Sequence, residues 1–573
     1  MLIPRLTLLA VLALPLAACG AAARTDVTAA RSGSEVSVSR IVVDSSRLTL
    51  AIGARSALGI TLLDAQDRML SASERSITWT NSASAIAALS IATGASVSVQ
   101  GIAEGTATLV ATCDGKSVSV TVLVTAMVPI ASLVVLPNPV VVYPGAPQQF
   151  SVTARRIGDP DMPVSADVTF SATGGTVTSS GLFTAGTTAG DSFVVSATLT
   201  GNARVRGEAR VTVSAPPVIE PGVWTNVTPR NVDLTHELGC GNFGVENVQV
   251  DPMQRSNVYA LFHCQGIWKS VDYGRTWAGP INTGRNGGTV ADCAGGLRIA
   301  SSSTASPPTI YVSCIRGAGI GFWRSIDGGV NWSHYNIAPA PGNRQDVYPP
   351  SVDPYDPRHL IMAGHEQDLI VESIDGGQHW TNVVMPAGMR AGNGTGAISF
   401  IDTGLAAGTR GTWLWMAQQS GGVYGTWRTT NGGSIWSQVD RNEHPHGFAE
   451  AYQPDANGVV YIAGAYSQSG WGVLRSADYG VTWSHVGSSG NQRVVFGTPT
   501  RVYSSYSYPT GLGASDGPSF QVAPQPGTGG WVSPPTPAAM KEGASQVAVT
   551  TDGARIHLIS ANYGAGLWLY IER

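Results

Sequence analysis

Two short stretches carry the residue types that acid–base chemistry needs. "GHEQD" sets His365, Glu366 and Asp368 side by side, and "EHPHGFAE" does the same for His444, His446 and Glu450. Two carboxyl groups flanking a glycosidic bond can protonate the leaving oxygen and activate water. Glu366 or Asp368 opposite Glu450 is therefore the acid–base pair to test. Tyr466 and Trp471 offer flat faces for stacking on a sugar, and His365, His444, His446, Arg344 and Arg390 offer donors to a ligand. The plainer reading of any one of them is a solvated loop residue, and of His444 and His446 an exposed turn. Metal-ligand spacings such as HExxH and CxxC are absent, as are phosphate-cradling loops, so neither a metal nor a cofactor is expected.

Five other stretches look chemical and read as structural. "SVDYGRTW", "SIDGGVNW", "SIDGGQHW", "TTNGGSIW" and "SADYGVTW" centre on Asp272, Asp327, Asp375, Asn431 and Asp478. Asn431 accepts hydrogen bonds as a carboxylate does but cannot act as an acid, which suits a turn and not catalysis. One carboxylate per copy is also too few ligands for calcium. The copies start 55, 48, 56 and 47 residues apart. A period near 50 marks a propeller or solenoid. Each copy sits between a strand such as "GFWRS" and another such as "NWSHYNI", giving about four strands per repeat, as in a propeller blade.

The motif S/T-x-D/N-x-G-x-x-W resembles the Asp-box of sialidases, xyloglucanase-type glycoside hydrolases, sortilin-like receptors and related propellers. The resemblance implies a β-propeller over residues 223–573. Five boxes mark five blades, and residues 493–531 read as a degenerate sixth. The last three strands, from residue 545, lack a fourth, which "VWTNVTP" from Val223 can supply. Closure of this kind removes exposed sheet edges and predicts seven blades, with six or eight as the alternatives. In such a blade the second-to-third loops and the outer-to-inner connections share one end. That end is expected to collect His263, Arg344, Asp346, Tyr348, His365, Glu366, Asp368, Arg390, His444, His446, Glu450, Tyr466 and Trp471, among others. The Arg-Ile-Pro motif of sialidases and the "TDIGGAYRW"-like segment of xyloglucanases are both missing.

The rest of the 573-residue chain holds further domains. "MLIPRLTLLAVLALPLAACG" reads as a signal peptide. Its "LAAC" resembles the lipobox of bacterial lipoproteins, which implies lipidation at Cys19 and, with Gly20 following, sorting to the outer membrane. Residues 20–35 are a small, polar tether. Residues 36–126, with the "ITWT" strand around Trp79, "GIAEGTATLVA" and "SVSVTVLV", resemble a group 2 bacterial Ig-like domain. Residues 128–214 resemble a second, with Phe170 at the Trp position. Residues 215–222, "APPVIEPG", are a proline-rich linker. The expected fold is all-β: two Ig-like β-sandwiches followed by a seven-bladed β-propeller with Asp-box turns.

Charged residues are only 13% of the chain and the net charge is −4, without a long basic run, which argues against a nucleic-acid partner. Export permits disulfides. Cys240 and Cys293 precede inner strands, and Cys264 and Cys314 end the strands that come next. Equivalent pairs Cys240–Cys264 and Cys293–Cys314 are expected, against the alternative that none pair, leaving Cys113 as a buried thiol. The leading functional expectation is a monomer, lipid-anchored in the cell envelope, whose propeller binds a glycan or cell-surface polysaccharide. The alternatives are a glycoside hydrolase or lyase acting on a complex polysaccharide, and a protein-binding scaffold.

Overall fold

The computed structural model describes residues 37–573 apart from 74, 127–129, 157–161, 164–166, 236–238, 341, 343, 386–395, 418–424, 442–449, 464–471, 488–491, 506–519 and 542. Cys19 and the tether lie outside the described residues. Two compact units are present, Met1–Pro129 and Ile130–Arg573. Almost all regular structure among the described residues is strand; the two helices there, Gly287–Ala291 and Ala406–Gly411, are each little more than one turn. No helix among the described residues is long and apolar enough to cross a membrane.

In the first unit two sheets share one core. Arg47–Ala51, Lys116–Thr125, Gly105–Cys113 and Thr78–Asn81 form one; Arg40–Val43, Arg55–Leu63, Ser96–Gly101 and Ala87–Leu89 run through the other. In Lys116–Thr125 the sequence alternates, so Val120, Val122 and Val124 point inward while polar neighbours face water. Trp79 sits in this core and donates its indole N–H to Gly94 O at 2.9 Å. Cys113 is a free, buried cysteine of the same core, and burial pushes its thiol up.

The second unit opens with a similar arrangement. The long strand Asn202–Val213 buries every other residue, including Val205, Ala209, Val211 and Val213, against Phe150, Phe183 and Val195. Asn231, in the segment leading to the next sheets, is tied to this layer: it donates to Val141 O and accepts from Val141 N, both at 2.8 Å.

Among the described residues, seven antiparallel sheets succeed one another from residue 225 to 571. The innermost strands of the first four are Val245–Val250, Ala294–Ile299, Ser351–Asp353 and Ile398–Phe400. Tyr452 pairs with Tyr461 in the fifth, and Val494–Gly497 and Gln546–Thr551 begin the sixth and seventh. Thr225–Asn226 pairs with Leu567–Ile571, so the first strand completes the last sheet. Val245–Val250 lies beside both Ala294–Ile299 and Gln546–Thr551, making first and seventh sheets neighbours. The second strands are apolar on both faces because each sheet is covered by one on either side: "VYALF" of Val258–Phe262 and "WLWMA" of Trp413–Ala417 are buried throughout.

Candidate functional site

The five repeated turns are filled by their own chain. In the second copy Ser325 Oγ donates to Asp327 Oδ1 at 2.8 Å and accepts from Gly329 N at 2.9 Å. The N–H groups of Val330 and Asn331 donate to Asp327 Oδ1, and Asn331 Nδ2 to its Oδ2 at 2.7 Å. Trp332 closes the turn through its indole N–H to Gly329 O at 2.9 Å. The same bonds recur around Asp272, Asp375 and Asp478. Asn431 reproduces them, accepting from Ile435 N at 2.8 Å. Gly328 and Gly329 both have positive φ, 71° and 95°, where a side chain is strained. Burial raises the Asp375 carboxyl, but the His379 N–H and ring and Ser373 Oγ outweigh it and hold it at about 2. Asp478 is likewise held at about 2 by Thr482 and Ser476 against the effect of burial. These carboxylates are committed to holding their own turns.

The turns also fix which end is which. Gly376 N donates to Arg358 O and Tyr479 N to Gly458 O, so each repeated turn packs against the turn after an inner strand. The second-to-third loops therefore lie at the opposite end, with the outer-to-inner connections. Both disulfides are there, Cys240–Cys264 and Cys293–Cys314, as their spacing suggested. They touch through Cys264 N, which donates to Cys293 O at 3.0 Å. Among the described residues one group of metal-type donors gathers, Cys240, Cys264 and Asp292, and two of its three members are joined by the disulfide.

In the third sheet the corresponding connection is polar. Val347 bridges Gly364, and His365 N donates to Asp346 O at 3.0 Å, which brings the entry segment against the "GHEQD" loop. Asp346 Oδ2 lies 3.2 Å from His365 Nδ1, and Tyr348 meets the imidazole edge-on at 5.4 Å. Arg344 grips both Asp346 oxygens, at 3.2 and 2.6 Å, and donates to the carbonyls of His365 and Glu366, both at 3.1 Å. Four of its N–H bonds are thus used inside the loop. Gln367 Nε2 donates to Asp346 O at 2.7 Å. Glu366 projects outward, its side chain 48% exposed, from a backbone with φ +48°, and its Oε1 is 3.9 Å from His365 Nε2. Left-handed backbone is uncommon for a residue with a side chain and is held only where surroundings enforce it.

Of the residues singled out from sequence, Arg344, His365, Glu366 and Asp368 therefore come together on the third sheet. Glu450 is elsewhere: its Oε2 lies 3.4 Å from Arg298 Nε, and it lines a cavity of about 490 Å³ with Arg298, Asp402 and Tyr452. That cavity is bounded by inner strands and by the turns that follow them, toward the repeated-turn end. Arg390, His444, His446, Tyr466 and Trp471 lie outside the described residues. A further histidine, His359, is fully buried with Asp353 Oδ2 and Glu372 Oε1 each at 2.8 Å. Burial lowers its pKa, but the two carboxylates outweigh this and leave it raised.

No family model matches the chain. Over 198 residues it is 28% identical to Xyloglucanase Xgh74A of Acetivibrio thermocellus, a match covering 28% of this chain and 23% of that protein. The match thus spans under a quarter of the relative's length. An ancestral GH74 enzyme of known structure aligns at 13% identity over 91% of this chain and 82% of its own, with a TM-score of 0.42. YCF48 from Cyanidioschyzon merolae aligns at 15% identity over 61% of this chain and 99% of its own, with a TM-score of 0.39. The chain is a β-rich protein distantly similar in sequence to a GH74 xyloglucanase.

Sequence reasoning picked out Arg344 as a ligand contact; its half-exposed guanidinium spends four N–H bonds on Asp346 and two loop carbonyls. Gln367 and Arg298 went unnoticed. Gln367 sits inside the quoted "GHEQD" stretch, but nothing in its type or spacing marks it as buried; Arg298 lies on a strand that otherwise reads as apolar.

Proposed function

We propose that the protein is a carbohydrate-active enzyme, a glycoside hydrolase acting on a complex polysaccharide. In this reading the seven sheets close as the blades of an Asp-box β-propeller, and the chemistry is done at the loop end. The observation that carries it is the exposed Glu366 carboxylate beside a fixed imidazole, in a chain with partial sequence similarity to a xyloglucanase. Hydrolysis needs one carboxyl group to protonate the leaving oxygen as the C–O bond breaks. A second takes a proton from the water that attacks the anomeric carbon. Glu366 and Asp368, on one loop, are the pair put forward; Glu450, expected opposite them, lines the Arg298 cavity toward the repeated-turn end instead. We further propose that Cys19 is lipidated and holds the protein in the cell envelope, with the Ig-like modules as a stalk; Cys19→Ala then frees it from membrane fractions.

The test incubates the full purified chain with xyloglucan and a set of other β-glucans and measures new reducing ends. Release of oligosaccharides supports the reading. Retention on immobilised xyloglucan with no release at all would replace it with the rival, a glycan-binding propeller in which Tyr466 and Trp471 stack on the sugar.

A further inference from the structure

The third-sheet loop is built more elaborately than anchoring a loop requires. Asp346 is nearly buried, as are His365 and Gln367. Asp346 receives the imidazole Nδ1, two guanidinium bonds and the Gln367 amide. A neutral imidazole has one N–H. With that hydrogen on Nδ1, facing Asp346, the other ring nitrogen presents its lone pair toward Glu366, 3.9 Å away. Two acceptors then face each other, and a second proton is what would join them. That proton is exchangeable, because Glu366 is exposed while Asp346 is enclosed.

A second observation points to a ligand. Gln367 Oε1 is buried and has no hydrogen-bond partner among the described residues, although the amide nitrogen of the same group is satisfied. An unpaired buried acceptor is costly, and such a group calls for a donor that the described residues do not supply. An O–H donor fits. Arg344 spends four of its five N–H groups on Asp346 and two carbonyls, which leaves it little to clamp an acidic sugar.

We propose that His365 and Glu366 form a proton-transferring pair, that Asp346 with Arg344 is its positioning unit, and that Gln367 Oε1 accepts a hydroxyl of a neutral glycan. In the hydrolytic step Glu366 takes the proton of the attacking water and hands it to His365 Nε2 while Asp368, the other carboxyl group of this loop, gives its proton to the leaving oxygen as the C–O bond breaks, so that no net proton is gained. Asp346 accepts the Nδ1 hydrogen throughout and holds the ring. This rests on the glycoside-hydrolase reading.

The experiment uses the full chain labelled with ¹⁵N, with the His365 signal assigned by its loss in His365→Gln. Imidazole ¹⁵N shifts report which nitrogen carries the proton without any substrate. The expected result is a protonated Nδ1 in the wild type and a mixture of tautomers in Asp346→Asn. With xyloglucan as the probe, Asp346→Asn should lose about 10- to 100-fold in kcat/KM and displace one limb of the pH profile, whereas Gln367→Glu should raise KM more than it lowers kcat. A wild-type ring protonated only at Nε2 overturns the proposal. So does an Asp346→Asn variant that melts earlier but keeps the wild-type pH profile, since Asp346 is then a staple and nothing more. Absence of turnover by the wild type counts against the enzymatic reading alone, because the tautomer is read independently of it.

Discussion

The first and third sheets solve one structural problem in two ways. In the first, Cys240 lies five residues before the inner strand Val245–Val250, and Cys264 two residues after Val258–Phe262. In the third, Asp346 lies five residues before Ser351–Asp353, and His365 two residues after Asp356–Ala363. The positions correspond: a covalent bond in one sheet is a carboxylate–imidazole contact in the other. The disulfide holds its loop and leaves no proton to move. The polar contact also holds a loop, but it leaves a titratable ring beside an exposed carboxylate. His263, next to Cys264, shows what a histidine at this end does when it is only structural. It is wholly buried, 3.3 Å from Glu246 and against the backbone of Gly295.

The comparison can be broken from the covalent side first. Cys240→Ser with Cys264→Ser should cost about 3 kcal/mol, the entropy expected for opening a loop of this length, measured by urea unfolding. The third-sheet loop should keep its hydrogen-exchange protection in that variant. From the polar side, Asp346→Ala leaves His365, Arg344 and Gln367 without their shared acceptor. The expected loss is about 1–3 kcal/mol, at the lower end because Arg344 is half-exposed. Asp327→Ala tests the filled turns and should cost about 1–2 kcal/mol with no effect on glycan turnover. Asp327→Asn should cost much less, since Asn431 already does this work in the fourth copy.

Two pH dependences sharpen the contrast further. Asp375 and Asp478, held at about 2, contribute stability above their unfolded value of 3.8 and lose it as the pH falls toward 2. The repeated turns should thus survive at pH 4, and Asp478→Asn should flatten the acid limb of the unfolding curve. His359 has the opposite sign. Its raised pKa contributes stability below 6.5 that disappears as the pH rises through the folded value. His359→Gln should remove that alkaline decline, read as melting temperature between pH 6 and 9. The smallest stability effect is expected at Glu366→Gln, under about 0.5 kcal/mol, because the side chain is exposed and its carboxylate bears no structural load.

Much of the fold was legible because it repeats. Each Ser/Thr–Asp/Asn–Gly–Trp turn leaves one signature, and five signatures at a near-constant period outweigh the ambiguity of any one strand. Thr225–Asn226 was legible because "WTNV" in the first strand matches the same residues from Trp380 onward. The two disulfides were legible from equivalent offsets in adjacent repeats. The site was legible only in part, because it does not repeat. His365 and Glu366 stand out by type, but the role of Asp346 depends on a bridge between Val347 and Gly364 that no local pattern announces. Glu450 looked like a partner to Glu366 by residue type and by the expected nearness of their loops; its contact is instead with Arg298, 152 residues away in sequence, and joins the second and fifth sheets.

The claim that the loop end of the third sheet is where glycan chemistry happens stands or falls most directly on Glu366→Gln. Turnover of xyloglucan and melting temperature are measured on the same preparation. The account predicts a loss of roughly 10²- to 10⁴-fold in turnover, the usual contribution of a general acid or base, with the melting temperature unchanged. Wild-type turnover in a correctly folded Glu366→Gln protein would contradict it.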